Sequence, residues 1–204
     1  MLEIMRFKGI PTGNICDSNN RVGAMDSEIK PLSRHMSMVG SAVTVSCAAG
    51  DNSTIYKAIK LAKAGDVLVI NCCGYKNAGV FGELFTIICM MHGIAGVVID
   101  GACRDKNDII SLNFPVFTRA VCPNGTIKEY CGEVNKPFSC GGVAVNPGDV
   151  VIGDCDGVVV IPLSNAEEVL RKSLAKKAAE DEMRKQLERR EMPEKMLSLF
   201  SRFK

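Results

Sequence analysis

The chain has 204 residues, 47% of them apolar, enough to bury a core of its own, and 25 Lys and Arg against 23 Asp and Glu leave a formal charge of only +2. No basic block of the kind that tracks phosphates occurs, and no apolar run reaches the ~18 residues of a membrane span, so neither nucleic acid nor a membrane is expected as a partner. Ten cysteines would suit a disulfide framework in a short secreted chain, but MLEIMRFKGI at the start has no signal-peptide core; reduced thiols and a soluble, cytoplasmic protein are expected.

In chain order, MVGSAVTVSC (38–47) reads as a buried strand. NSTIYKAIKLAKAG follows as a helix with Ile55, Ile59 and Ala62 on one face and Gly65 at its end. DVLVINC (66–72) is a second strand, CGYKNAGVF a loop, and GELFTIICMMHG a short helix with Leu84, Ile87, Ile88 and Met91 at helical spacing and Gly93 as its stop. IAGVVID is a third strand. Strands and helices alternating at this rhythm imply parallel pairing through right-handed crossovers.

After residue 113 the texture changes. FPVFTRAV and GGVAVNPGDVVIGDCDGVVVIP read as strands broken by Pro and Gly, with Asp156-Gly157 a hairpin signal, so a second, more antiparallel sheet is expected. A long helix over about 164–190 closes the chain, with Ser164 and Glu167 in capping-box spacing and an apolar stripe of Val169, Leu170, Leu174 and Ala178. The fold class is α/β, and residues 1–204 read as one domain.

The cysteines lack metal-site spacing. Cys72 and Cys73 are adjacent, no CxxC occurs, and only His35 and His92 could add imidazole. Most thiols sit in apolar runs and read as small core hydrophobes.

Chemistry concentrates in two segments. In open α/β sheets ligands collect beyond the carboxyl ends of parallel strands, where the loops after DVLVINC and GVVID both open. The first delivers Gly82-Glu83-Leu84-Phe85 as the first turn of a helix, whose free amides and dipole suit a carboxylate or phosphate. The second, DGACRD, delivers Arg104 and Asp105: an arginine fork can grip a carboxylate, and the aspartate can ligate a hard divalent cation. Each residue also has a plainer reading. Asp105 could be a helix N-cap ahead of KNDIISL, Glu83 a first-turn acid, Arg104 a surface ion-pair partner, and Gly82 and Gly101 turn glycines.

GELFTIICMMHGIAGVVIDGACRDKNDI, continued by VFTRAVCPNGTIKEYCGEVNKPFSCGGVAVNPGDVVIGDCDGVVVIP, resembles the family that contains 4-hydroxy-4-methyl-2-oxoglutarate aldolase, 4-carboxy-4-hydroxy-2-oxoadipate aldolase and the regulators of ribonuclease E activity. The resemblance spans most of the chain and weakens at both termini. It implies a swivelling β/β/α layered fold with one parallel and one antiparallel sheet, and a homo-oligomer, trimer or hexamer, with its site at a subunit interface. It implies Asp105 as ligand of Mg2+ or Mn2+, Arg104 as the residue that holds pyruvate and its enolate, the amides of Gly82 to Phe85 as the receptor of the pyruvyl carboxylate, and Glu83 as an acid near the metal waters. Cys103, where valine is commoner, and the bulky FTIICMMHG depart from the family pattern and bear on pocket size.

The activity so implied is cleavage of a 4-hydroxy-2-oxo acid to pyruvate, with decarboxylation of oxaloacetate through the same enolate. No histidine lies near these motifs, so the expected base is a metal-activated water steered by Glu83. Lys76 and Lys106 lie in polar loops unsuited to Schiff-base chemistry. The same family implies an alternative, a non-catalytic inhibitor of a ribonuclease; regulators of that kind tend to keep the arginine and lose the aspartate, and here Asp105 is present. A methyltransferase is disfavoured by the lack of a GxGxxG-like loop after an early strand.

Overall fold

The computed structural model describes residues 4–202. Strands β1 (Lys30–Pro31), β2 (Met38–Ser46), β3 (Asp66–Phe81), β4 (Gly96–Cys103), β5 (Val116–Val121), β8 (Val150–Asp154) and β9 (Gly157–Ile161) form one seven-stranded sheet, in the order β1-β5-β4-β3-β2-β8-β9. The four central strands β5-β4-β3-β2 are parallel, while β1 and the β8-β9 hairpin pair antiparallel at the two sides. Strands β6 (Phe138–Cys140) and β7 (Val143–Val145) make a separate antiparallel pair.

Burial on both faces explains the unbroken apolar runs of the parallel strands. Leu68, Ile70, Val97 and Ile99 face α2 (Ser53–Leu61), α3 (Glu83–Met91) and α4 (Lys106–Ser111), and pack with Ile55, Phe85, Cys89 and Ile109. Their alternates Val67, Val69 and Val98, with Phe117 beside them on β5, face Met25 and Ile29, with Cys140 and Val145 of the small sheet above them. A third cluster lies on β8 and β9, where Phe7, Ile15 of α1 (Thr12–Ser18), and Val169 and Leu170 of α5 (Ala166–Glu188) cover Val150, Ile152 and Ile161. The short helix α6 (Glu194–Arg202) ends the described chain with no residue buried.

The expected α/β layering, with parallel and antiparallel parts and a long C-terminal helix, is present, but the antiparallel strands are arranged differently. The 150–161 hairpin turns at Cys155-Asp156 as its Asp-Gly signal suggests, yet it extends the parallel sheet beyond β2. Strand alternation alone does not say which edge a hairpin joins.

Three local readings also change. The segment 73–81 is the irregular continuation of β3, with register shifts against β4 after Asn71, Tyr75 and Gly79. Asn71 Oδ1 accepts the Cys73 amide at 2.7 Å, which turns the backbone there into a positive φ. Helix α2 stops at Leu61, because Asp66 takes the Lys63 amide at 2.7 Å and Ala62 is already extended. The Ser164/Glu167 capping box does not form: Ser164 lies in a 3-10 turn (Leu163–Asn165), its hydroxyl donates to Asn165 Oδ1 at 3.1 Å, and α5 starts without a side-chain cap. On α5 the buried face is Val169, Leu170 and Ser173, while Leu174 and Ala178 are exposed. Among the described residues no helix is long and apolar enough to cross a membrane.

Candidate active site

Strands β3 and β4 are parallel neighbours, so the loops leaving their carboxyl ends open on the same edge. Arg104 follows β4 directly and its amide donates to Phe81 O at 2.9 Å, tying the end of β4 to the end of β3. The stem of Arg104 lies across two glycines. A Cβ on Gly79 would come within 2.8 Å of Arg104 Cβ, and one on Gly82 within 3.2 Å of its Cγ, so this close crossing requires residues without side chains. The side chain remains 46% exposed, and its Nε stands 3.5 Å from Asp105 Oδ2.

Asp105 occupies the N-cap position of α4 in a left-handed conformation, φ 54°, which Asp and Asn tolerate better than other side chains. Its carboxylate does not cap α4. It turns back to α3 instead, where Oδ2 accepts the Glu83 amide at 3.1 Å, and a Cβ on Gly82 would overlap that oxygen. The cap reading of Asp105 is therefore half right: it serves the start of a helix, but a helix 22 residues earlier in the chain. The Glu83 amide is thereby taken. Helix geometry leaves the amides of Leu84 and Phe85 without an intrahelical acceptor, since Thr86 is the first to bond back, to Gly82 O at 3.1 Å.

These groups border a cavity of about 250 Å³ lined by Gly82, Leu84, Phe85, Arg104 and Asp105. Glu83 is half-buried beside it, and its side chain is not part of the lining. The rest of the lining consists of residues that the sequence pattern did not single out: Asn52 and Tyr56 at the start of α2, and Thr126 and Lys128 in the loop after β5. Asn52 is 7% exposed; its Nδ2 donates to Val80 O at 3.1 Å, and its Oδ1 has no partner among the described residues. Tyr56 packs on Phe85 with ring centroids 4.7 Å apart. The stretch DNST before an apolar helix face signals a helix start, which is what hid Asn52; Lys128 lies in a loop with no periodicity to mark it.

Among the described residues no three His, Cys, Asp or Glu side chains converge as a metal cage. One carboxylate with an oxygen to spare, in an open cavity, fits a cation such as Mg2+ that keeps most of its water, and does not fit a closed protein cage. The ten cysteines are all free thiols. Burial pushes the Cys103 thiol up to about 11 and that of Cys89 up to about 12, so neither is a nucleophile beside the cavity.

On the other face of the sheet a second charged cluster closes on itself. Arg119 of β5, 11% exposed, bonds through Nε to Asp100 Oδ1, and its Nη1 reaches Asp26 at 2.9 Å and Glu28 at 3.1 Å. The other Asp100 oxygen accepts the Gly141 amide at 2.7 Å, and Lys76 pairs with Glu28 at 2.6 Å. Asp100 foremost, with Asp26 behind it, outweighs burial and holds the Arg119 guanidinium more firmly charged than usual.

The chain is similar to known proteins over most of its length. The family described as RraA-like (Aldolase/RraA) matches residues 12–160. A candidate 4-hydroxy-4-methyl-2-oxoglutarate aldolase of Halalkalibacterium halodurans is 42% identical over 181 residues, 89% of this chain and 86% of its own. The solved structure of the RNA-processing inhibitor RraA from Thermus thermophilis is similar with a TM-score of 0.68 and 27% identity, covering 74% of this chain and 92% of that one. Streptomyces coelicolor RraAS2, described as an unusual member of the RNase ES inhibitor RraA family, shares the fold with a TM-score of 0.82 at 24% identity, over 90% of this chain and 96% of that one.

Proposed function

Given that the chain belongs to the RraA-like family, we propose that it is a divalent-metal-dependent aldolase that cleaves a 4-hydroxy-2-oxo acid, such as 4-hydroxy-4-methyl-2-oxoglutarate, to pyruvate and a second carbonyl compound, and that it also decarboxylates oxaloacetate. The observation that carries this reading is the apposition of Arg104 and Asp105 with the first turn of α3 around one open cavity.

The reaction needs three things: a grip on the 2-oxo acid, removal of the 4-hydroxyl proton, and a place for the electron pair when the C3–C4 bond breaks. The Arg104 fork holds a carboxylate and lies beside the oxygen that becomes the enolate. The Leu84 and Phe85 amides supply further donors at a helix N-terminus. Asp105, fixed by the Glu83 amide, is the carboxylate that would hold Mg2+ or Mn2+, which as a Lewis acid stabilises developing enolate charge by several kcal/mol. Glu83, half-buried beside the cavity, would steer the water that takes up the 4-hydroxyl proton. The electron pair ends on C3 of pyruvate, which then takes up a proton.

An exposed apolar run on α3 beside the cavity, Leu84, Ile87 and Met91, supports assembly as a homo-oligomer, a trimer or hexamer, that covers the open side. The ribonuclease-inhibitor activity named for the Thermus relative is the competing reading. The presence of Asp105, which such an inhibitor has no need of, favours the enzyme.

The test is a pyruvate-release assay on a small panel of 4-hydroxy-2-oxo acids and oxaloacetate, with and without chelator. Release that is abolished by chelator and restored by Mg2+ or Mn2+ is expected. No release from any member of the panel, with inhibition of a ribonuclease instead, would overturn the proposal.

A further inference from the structure

One wall of the cavity is carried by a segment with almost no regular structure. Between β5 and β6 the chain runs from 122 to 137 with only isolated bridges, one from Ile127 to Asp51 and one from Val134 to Val45. Thr126 and Lys128 line the cavity from this segment, and Lys128 has no ion-pair partner among the described residues. A loop of this length with no ladder of its own is positioned by whatever its backbone amides find.

Those amides converge on one carboxylate. Asp51 is 1% exposed, and its Oδ2 accepts both the Glu129 amide at 2.7 Å and the Tyr130 amide at 2.9 Å. Its Oδ1 accepts the Ser53 amide at 2.7 Å, in the first turn of α2. One side chain thus joins the segment to the helix start that presents Asn52 and Tyr56. Neighbouring bonds add to the same seam: Ile127 N to Gly50 O at 3.0 Å and Gly132 N to Thr54 Oγ1 at 2.7 Å.

We propose that Asp51 is a positioning residue of this site: it fixes the 126–134 segment as one wall, which starts next to Gly125 beside the Arg104 guanidinium and carries Lys128 on to meet the other end of a ligand held by Arg104. The inference rests on the proposed function for the ligand's class, a 2-oxo acid, but not for its turnover. Asparagine at this position offers one acceptor where three amides need two oxygens, and its NH2 would face an amide N–H. Asp51→Asn therefore frees the segment or the helix start. Thr54→Val is a milder, near-isosteric cut in the same seam, removing only the acceptor of the Gly132 amide.

Two probes separate positioning from general damage. Oxalate, in the presence of Mg2+, spans only the Arg104 and Asp105 end, whereas 2-oxoglutarate is long enough to cross the cavity. Asp51→Asn is expected to weaken 2-oxoglutarate binding about tenfold and Thr54→Val about threefold, with oxalate binding within about twofold of wild type. Amide hydrogen exchange is expected to quicken over 126–134 and to stay slow in β3 and β4. If Asp51→Asn does not fold, Thr54→Val alone decides. The proposal is overturned if both acids weaken together, if neither weakens although the segment exchanges faster, or if wild type binds oxalate and not 2-oxoglutarate. Wild type that shows the expected binding pattern but releases no pyruvate from any substrate contradicts the aldolase reading and leaves Asp51 in its role.

Discussion

Two clusters of charge lie near the carboxyl end of β4, one on each face of the sheet, and they are built in opposite ways. Asp100 is buried and the Arg119 side chain only 11% exposed, and the two charges are met from within the chain, by each other, Asp26, Glu28 and the Gly141 amide. Arg104 and Asp105 are 46% and 36% exposed, stand 3.5 Å apart, and are held from behind by the backbone of Phe81 and Glu83, with their outward faces left free. A charge whose partners are all internal holds the structure together; a charge fixed from behind and open in front is ready for a ligand. Both acids occur in the six residues DGACRD, and only the fold distinguishes them.

Removing each arginine in turn separates the two clusters by the largest expected effect. Arg119→Met leaves Asp100 buried without its cation and should cost about 3–5 kcal/mol of stability. Arg104→Met, at the exposed pair, should cost less than about 1 kcal/mol while abolishing pyruvate release. Chemical denaturation of the two variants measures both. Equal losses of stability would mean that the two clusters are the same kind of object.

A smaller effect distinguishes the Asp51 seam from both clusters. Burial would raise the Asp51 carboxyl, but the Tyr130, Ser53 and Glu129 amides outweigh it and hold it down to about 2. Its folded value lies below its unfolded one, so the carboxylate contributes stability fully above about pH 4, and that contribution is lost as pH falls toward 2. Its size is about 2–3 kcal/mol. The stability gap between wild type and Asp51→Asn should therefore be widest near neutrality and narrow between about pH 4 and pH 2, as followed by denaturant melts. A gap independent of pH would show that the charge of Asp51 does not matter.

Smallest of all is the expected effect at the start of α5. Ser164 does not cap the helix, so Ser164→Ala should change stability by less than about 0.5 kcal/mol in a thermal melt. A loss near 1 kcal/mol, the usual cost of a missing cap, would restore the capping box.

How far the sequence could be read follows from the range of the forces involved. The parallel core was legible because Leu68 and Ile70 alternate with Val67 and Val69 in runs that only a doubly buried strand supports. One wall of the site was legible as well, since Gly82 to Phe85 and Arg104-Asp105 sit at strand ends where ligands gather. The rest of the lining was not, because Asn52 and Lys128 reach the cavity through the Asp51 seam, a contact across 79 residues of chain between Asp51 and Tyr130. The partner of Asp105 was hidden for the same reason: spacing pointed to α4, and the left-handed backbone turns the carboxylate to α3. Helix α1 and strand β1, seven and two residues long, are too short to show a period.

The central claim is that Asp105 is a metal-binding carboxylate and not only a brace for the first turn of α3. Asn suits the probe, since it tolerates the left-handed backbone and its side-chain oxygen can still accept the Glu83 amide, while it lacks the negative charge a hard cation requires. The measurement is pyruvate release by Asp105→Asn as a function of Mg2+ or Mn2+ concentration, alongside its melting temperature. The account predicts melting within about 2 °C of wild type, loss of most activity at ordinary metal concentration, and partial recovery only at much higher metal. Wild-type activity with unchanged metal dependence in Asp105→Asn would contradict it.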